Sequence, residues 1–247
     1  MLSRGGYPGV ARAYARLHEG CAQETSGTTL DYRKVVDNYL NINDWRVKEN
    51  STVTYSVGGL ILSNSGAITA NYWLSQVYDP EIAEAHRSAA IHLHDLSMLT
   101  GYCAGWSLKQ LIQEGLGGVP GKISSKPAKH LSTLCNQMVN FLGIMQNEWA
   151  GAQAFSSFDT YLAPFVRVDH LSYEEVKQAV QGFVFGVNTP SRWGTQAPFS
   201  NITLDWTVPP DLADMNCIVG GEEMDFCYRD CQKEMDMVNK AFIETMI

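Results

Sequence analysis

The chain has 247 residues and a formal net charge of −8, and 45% of its residues are hydrophobic while 18% are charged. These proportions are typical of a globular protein with a sizeable core, organised as one large domain or two small ones. The acidic balance argues against a general nucleic-acid-binding surface, which needs basic stripes, but it allows a nucleotide pocket with a few local Lys or Arg residues. The longest apolar run, Val57 to Leu62, is too short to cross a membrane.

The cysteines are spaced without a CxxC pair or a regular framework. They are Cys21, Cys103, Cys135, Cys217, Cys227 and Cys231. In a chain of this size without a signal peptide, we expect reduced thiols and a cytoplasmic protein. Cys227 and Cys231 are spaced as a helical i, i+4 pair, and no fourth ligand is spaced to join them and Cys217. We therefore predict no metal site.

The first third of the chain is predicted to be helical after a polar lead-in. Residues 1–20 contain an amphipathic turn or two, and residues 21–30 have the composition of a linker. Helices are predicted from Asp31 to about Leu40 and from Ala67 to Tyr78. Asp79 and Pro80 then form a helix start, with a helix that ends near Ala90.

Two histidines and a carboxylate follow that helix. Ile91 and Leu93 favour a short buried strand, in which His92 and His94 share one face and Asp95 lies opposite. Such a cluster can bind a metal or do acid–base work. The alternative is a pair of buried imidazoles that are hydrogen-bonded to the backbone.

Cys103 lies in the apolar, glycine-punctuated sequence that comes next. Gly101 and Gly105 flank it, so backbone or substrate can approach its sulfur closely. A cysteine that only packs in the core is the alternative interpretation.

A long helix is predicted from Ala128 to about Ala152. Its apolar stripe consists of Leu131, Leu134, Cys135, Met138, Leu142, Met145 and Trp149. Its polar stripe consists of His130, Thr133, Gln137 and Asn140. Ser172 and Glu175 then make a capping box for a helix that ends at Asn188–Pro190.

The remaining segment mixes strand and helix patterns. Ile202, Leu204 and Trp206 alternate as in a strand, and a helix is predicted over Asp225 to Ile247. Because that helix has no stop signal, we expect the sequence to continue beyond Ile247. Strands separated by helices indicate an α/β fold.

The loop before the predicted strand is dense in hydroxyl and amide groups. Thr195, Gln196, Ser200 and Asn201 are candidates for holding a ribose or a phosphate. Ser200 and Asn201 alternatively only organise the turn.

Three long blocks resemble one enzyme family. DWRVKENSTVTYSVGGLILSNSGAITANYWL, HLHDLSMLTGYCAGWSL and VNFLGIMQNEWAGAQAFSSFDTYLAPF are similar to the anaerobic (class III) ribonucleoside-triphosphate reductases, and the similarity runs from about Leu40 to the end. The resemblance implies an α/β fold that forms the first half of a ten-stranded α/β barrel, of the ribonucleotide reductase and glycyl-radical enzyme type. It also favours a helix over Ser51 to Leu62. Residues 1–20 resemble the tail of an ATP-cone regulatory domain, and 31–247 the N-terminal half of a truncated catalytic barrel.

The resemblance also implies an activity. Family members reduce ribonucleoside triphosphates to 2′-deoxyribonucleoside triphosphates by glycyl/thiyl radical chemistry, which supplies precursors for DNA replication under anaerobic conditions. The match gives Cys103 the role of a redox thiol on the substrate face of the first barrel strand. The cysteine that becomes the thiyl radical and the radical glycine have no counterpart in these residues, so this chain alone is expected to be inactive.

The partners and cofactors are likewise implied by the resemblance. They are an activating enzyme that uses S-adenosylmethionine and an iron–sulfur cluster, formate or a thiol protein as reductant, and ATP and deoxynucleotide effectors bound at a homodimer interface around the long helix. Lys126, Gln137 and Arg167 match effector-binding positions, with a solvated surface side chain as the alternative for each. Thr is more usual in the family where Ala197 stands. No metal is implied at the histidine cluster.

Two other functions stay open. A glycyl-radical enzyme of the formate-lyase type shares the barrel but carries two adjacent cysteines in its mid-chain loop. A non-catalytic nucleotide-binding or dimerisation module would bind effectors without turnover.

Overall fold

The computed structural model describes residues 30–41, 57–117, 121, 123–189 and 197–247. The α-helices are α1 (Tyr32–Asn41), α2 (Val57–Tyr72), α3 (Pro80–Arg87), α4 (Leu108–Glu114), α5 (Leu131–Met145), α6 (Phe158–Val168), α7 (Tyr173–Val187), α8 (Pro210–Ala213) and α9 (Gln232–Met246). A π-turn over Trp73–Val77 continues α2, and a 3-10 turn over Tyr228–Cys231 precedes α9. The strands are β1 (Tyr102–Trp106), β2 (Ala150–Phe155), β3 (Ser200–Ile202), β4 (Asn216–Val219) and β5 (Glu222–Cys227).

The sheet that organises the fold is parallel. Its strands lie in the order β1-β2-β3, and both neighbouring pairs run parallel. Helices α4 and α5 connect β1 to β2, and α6 and α7 connect β2 to β3. This alternation confirms the predicted α/β class.

One face of the sheet carries the core. Phe155 and Phe158 are fully buried, and Phe141 of α5 packs against Trp106 and Phe155 with ring centroids 5.3 and 5.4 Å apart. The apolar stripe of α5 is buried in the same cluster; its members are Leu131, Leu134, Cys135, Met138, Leu142 and Met145. The stripe is therefore core of this chain and is not free to face a second subunit.

The long helix is shorter than its pattern predicts. It ends at Met145, and Ala150 to Phe155 form the central strand β2 instead of a last helical turn. Alanine favours a helix, but pairing with β1 on one side and β3 on the other satisfies the backbone of this segment and overrides that preference.

No strand forms at Ile91–Leu93, where one was predicted. The N–H of Leu93 bonds to Nδ1 of His86 at 3.1 Å, and Asp95 has a φ of +55°, so neither residue fits a strand ladder. Ile91 is exposed. The first strand begins at Tyr102.

The C-terminal region also differs from its prediction. Gly220 and Gly221, with φ of +67° and +83°, turn β4 back onto β5, and the last helix begins only at Gln232. The strand predicted through Trp206 ends at Ile202. Trp206 has a φ of +64°, which strand residues do not adopt.

Several predicted elements are confirmed. The helix from Asp31 is α1, the helix after Asp79 is α3, and the helix predicted over Ala67 to Tyr78 is the continuous α2 with its π-turn. The capping box of Ser172 and Glu175 starts α7, which ends at Val187. Residues 1–20, the linker up to residue 29, and residues 51–56 of the expected helix lie outside the described residues. No helix in the described part of the chain is long and apolar enough to cross a membrane.

Candidate active site

Cys103 lies in an irregular part of the sheet. Tyr102 pairs with Ala150 and Ala104 pairs with Gln153, so the two residues between Ala150 and Gln153 face the single residue Cys103. This is a β-bulge, a device that re-aims side chains near functional sites. Cys103 itself has a φ of +50°, a conformation that costs a non-glycine residue energy. Residues held in such conformations cluster at functional sites.

The sulfur of Cys103 is held by its neighbours. The N–H of Ala152 donates to Sγ at 3.3 Å. Interaction with the Cys103 side chain, followed by the charge of Asp95, raises the pKa of Tyr102. A β-carbon at Gly151 would lie 2.8 Å from Sγ and 2.7 Å from the Tyr102 ring, so both side chains pack over Gly151. Cys103 remains half-buried and so accessible.

The sheet face opposite the core is lined by small residues. Gly105, Ala154 and Asn201 pair in one row across the three strands. Gly105 and Asn201 are exposed and Ala154 is half-buried, whereas the alternating residues Gln153 and Phe155 are buried. This face is therefore open in the described part of the chain.

The candidate substrate residues are partly placed by the structure. Ser200 and Asn201 lie in β3, two strands from β1 and hence roughly 10 Å away at the usual strand spacing. The Ser200 hydroxyl donates to the carbonyl of Pro198 at 3.2 Å, whereas Asn201 is exposed on the open face. Thr195 and Gln196 lie outside the described residues.

The histidines lie beside this site but not in a strand. The ring centroids of His92 and His94 are 4.6 Å apart, and His94 lies 6.4 Å from the Tyr102 ring. Both histidines are exposed, so the interpretation as buried imidazoles is wrong. His86 packs 5.6 Å from His92, and partial burial together with His92 and Arg87 lowers the pKa of His86. Among the described residues, no group of three or more His, Cys, Asp or Glu side chains is arranged to hold a metal ion.

Two effector candidates meet where the loop before α5 packs against that helix. Gln137 is 2% exposed, and its Nε2 donates to Ser125 Oγ at 2.8 Å and to the carbonyl of Lys126 at 2.7 Å. A solvated surface position is therefore wrong for Gln137, which instead holds the loop on which the exposed Lys126 lies.

Arg167 lies in a different environment. It donates to the carbonyl of Asp230 at 2.6 Å, and its guanidinium lies 5.0 Å from the centre of the Phe226 ring. These contacts fix Arg167 against the turn before α9.

Sequence reasoning missed a buried carboxylate that shapes the site. Asp159 is fully buried and accepts from the N–H groups of Asp205 and Trp206, each at 2.9 Å, and from Nδ2 of Asn239 at 2.9 Å. It thereby ties the segment after β3 to α6 and α9. Gly151, Ala152 and Tyr102 were missed as well, and the glycine in AGAQAF was the available signal for the bulge.

A cavity of about 320 Å³ opens at the carboxyl ends of the strands. It is lined by Gly105, Trp106, Ser107, Leu108, Ala154, Phe155, Ser156, Tyr161 and Thr203. Ligands of open α/β sheets commonly bind at this edge. Cys103 lies near the opposite, amino-terminal end of β1.

Comparison with solved structures identifies the fold. The fold is that of the anaerobic ribonucleotide reductases. The enzyme from Thermotoga maritima in complex with dATP and CTP superposes with a TM-score of 0.62 at 19% identity, over 91% of this chain and 43% of that one. The same enzyme with citrate in the active site gives a TM-score of 0.63 at 21% identity, over 86% and 39%. A further anaerobic ribonucleotide reductase gives 0.62 at 23% identity, over 84% and 37%.

The sequence gives the family. The profile of the anaerobic ribonucleoside-triphosphate reductase family matches residues 49–247, and the chain belongs to that family. This match decides against the formate-lyase type of enzyme. The chain spans about two fifths of the length of the solved structures. No curated protein sequence matches it.

Proposed function

We propose that this chain supplies the first thiol-bearing part of a catalytic domain that reduces ribonucleoside triphosphates to 2′-deoxyribonucleoside triphosphates. The observation that carries the proposal is Cys103, a half-buried thiol on strand β1 of a parallel sheet whose face opposite the core is lined by small residues. In a family of reductases, an accessible thiol in such a position is suited to donate hydrogen to a sugar.

The redox balance of the reaction defines what Cys103 has to do. Replacing the ribose 2′-hydroxyl by hydrogen consumes two electrons and two protons and releases water. Cys103 and a second thiol outside residues 1–247 supply them and become a disulfide, which formate or a thiol protein returns to the reduced state. A glycyl radical, also outside residues 1–247 and installed by an S-adenosylmethionine iron–sulfur activating enzyme, supplies the one-electron chemistry that starts the reaction.

The sheet is proposed to be part of a ten-stranded α/β barrel. Its core face is already covered by helices, whereas Gly105, Ala154 and Asn201 leave the other face uncovered in the described part of the chain. In a barrel that face becomes the interior. The small side chains then leave room for a sugar next to the Cys103 sulfur.

Nucleotide regulation is proposed by analogy with the Thermotoga maritima enzyme, which binds dATP in a specificity site and has been seen with CTP. Here Lys126 is the proposed phosphate contact, Gln137 holds its loop, and Arg167 is a further candidate. The proposal includes a homodimer. Residues 1–20 are proposed to be the tail of an ATP cone, and residues 31–247 part of the catalytic domain.

The test is an anaerobic turnover assay. Full-length protein, reconstituted with an activating enzyme, S-adenosylmethionine and formate or a thiol protein, should convert CTP to dCTP by product chromatography. Residues 1–247 alone should form no product. Effector binding without turnover by the reconstituted full-length protein would contradict the proposal and establish the non-catalytic module.

A further inference from the structure

The bulge opposite Cys103 takes one peptide group of β2 out of the regular ladder. Ala150 and Gln153 pair with β1, whereas Gly151 and Ala152 lie between them, outside the register of both neighbouring strands. A peptide group in such a position needs other hydrogen-bonding partners. Here two side chains provide them.

The peptide that joins Gly151 to Ala152 is held at both of its polar ends. Its carbonyl, which belongs to Gly151, accepts from Nε2 of Gln153 at 3.3 Å. Its N–H, which belongs to Ala152, donates to the Cys103 sulfur at 3.3 Å. Because a peptide group is planar, fixing the direction of its carbonyl also fixes the direction of its N–H.

The Gln153 amide is itself held in one orientation. Gln153 is fully buried, and its Oε1 accepts from Nε1 of Trp106 on β1 at 2.8 Å. An indole N–H is only a donor, so the oxygen of the amide faces Trp106 and the nitrogen faces the Gly151 carbonyl. The backbone N–H of Gln153 bonds to the carbonyl of Phe199 at 2.8 Å, which ties the same residue to the segment before β3.

We propose that Gln153 is a positioning residue for the Cys103 thiol: through the Gly151–Ala152 peptide it directs the N–H that fixes the sulfur. A neutral thiol that accepts this bond points its own hydrogen away from the peptide. The proposed reduction needs that hydrogen to reach the sugar, so the direction of the S–H bond affects the reaction. The inference rests on the proposed function for the redox role of Cys103.

Nuclear magnetic resonance can observe this one peptide in the full chain. Glycine is followed by alanine at two places, Gly66–Ala67 and Gly151–Ala152. Labelling glycine with ¹³C at the carbonyl and alanine with ¹⁵N therefore gives a correlated signal from each of these peptides. The bulge signal is identified by its loss in Ala152→Ser, and the signal of Ala67 in α2 is the internal reference.

The variant to compare with wild type is Gln153→Met, which keeps an unbranched side chain of similar length and removes the amide. The Gly151 carbonyl and Ala152 amide signals should both shift. The Ala152 amide proton should also exchange with deuterium about twofold to tenfold faster, as loss of one hydrogen bond predicts. The Ala67 signal should keep its shift and its rate. An Ala152 proton with unchanged shift and rate would overturn the proposal, because its N–H would then be held without Gln153.

A matched control separates positioning from a general loss of stability. Gln137→Met removes another buried amide, which holds the loop of Lys126 on the helical side of the sheet. It should leave the bulge signal unchanged. Equal shifts of that signal in Gln137→Met and Gln153→Met would overturn the proposal, because the bulge would then respond only to loosening of the fold.

A second variant decides the case in which Gln153→Met does not fold. Cys103→Ala, at a half-buried position, removes the sulfur from the other end of the same peptide. Coupling between two bonds is reciprocal, so the side-chain amide of Gln153, identified by its Overhauser contact with the Trp106 indole, should exchange faster by a similar factor. An unchanged rate overturns the proposal. No readout needs catalysis, so a failure of the positioning role is distinct from a failure of the proposed reduction, which turnover of Cys103→Ser reports.

Discussion

Gly151 and the Cys103 sulfur lie so close that only a residue without a side chain fits at position 151. A β-carbon there would lie 2.8 Å from Sγ, and the φ of Gly151, +74°, disfavours other residues independently. The glycine that matters to the thiol is therefore on the neighbouring strand, distant in sequence. A β-carbon at Gly105, which flanks the cysteine in the sequence, would meet no atom of the described residues within 4 Å.

This contrast yields a matched pair of variants. Gly151→Ala should destabilise the protein by about 2 kcal/mol, from backbone strain and displacement of the Cys103 and Tyr102 side chains, and should sharply lower turnover. Gly105→Ala should change stability by no more than about 0.5 kcal/mol. Urea denaturation of both variants checks the stabilities; equal stabilities would contradict the close packing at Gly151.

Cys103→Ser should abolish reduction of the ribonucleotide while leaving the stable radical able to form. Serine keeps the shape of the side chain but cannot supply the weak S–H bond or form a disulfide. Electron paramagnetic resonance measures the radical, and chromatography measures the deoxynucleotide. Cys227→Ser is the control and should turn over normally; normal turnover in Cys103→Ser would show that the thiol only packs.

Asp159→Ala should destabilise the protein by about 3 kcal/mol or more. The change leaves the part-buried N–H groups of Asp205 and Trp206 and the buried amide of Asn239 without their acceptor. Asp211→Ala, at an exposed position in α8, is the control and should cost at most about 0.5 kcal/mol. Thermal or urea unfolding measures the stability of both variants. Similar losses of stability would mean that the Asp159 carboxylate does not hold these segments together.

Lys126→Ala should weaken binding of a deoxynucleoside triphosphate effector. Removing a charge-assisted phosphate contact costs about 1.5–3 kcal/mol, a loss of affinity of roughly ten- to a hundredfold. Lys233→Ala removes an equal charge from the exposed surface of α9 and controls for the general electrostatic effect. If calorimetry gives the same affinity for Lys126→Ala and wild type, Lys126 is not a ligand.

Leu134→Glu should unfold the protein instead of separating subunits. Leu134 is fully buried, and placing an unpaired carboxylate there costs on the order of 4 kcal/mol. Thr133→Glu, one residue earlier on the exposed side of α5, should remain folded. Circular dichroism and sedimentation velocity distinguish the outcomes: a folded Leu134→Glu monomer would restore the interface interpretation.

The predictable part of the fold was the part with local signals. Two helix starts could be predicted, because the groups that define each of them are neighbours along the chain. They are the capping box of Ser172 and Glu175 and the Asp79–Pro80 pair. The end of α5 was misjudged because the partners of β2 lie about fifty residues away on either side. No local pattern contains that pairing.

In the candidate site, too, the sequence indicated individual residues but not the contacts between distant segments. The resemblance singled out Cys103, yet the bulge that aims its sulfur depends on Gly151 and Ala152 of another strand. Gln137 belongs to the polar stripe of its helix and was matched to an effector-binding position, but its amide is turned inward onto the Lys126 loop. Only the packing of that loop against α5 decides this orientation.

The bond from Asp159 to Asn239 joins residues 80 positions apart. Closing such a long loop costs conformational entropy before any contact offsets it, so pairings of this kind form late in folding. During synthesis, Asp159 cannot accept its bond from Asn239 until the ribosome has released residue 239. The thiol strand and its bulge can thus form before α9 is in place, which makes α9 the last helix of the described residues to join this part of the fold.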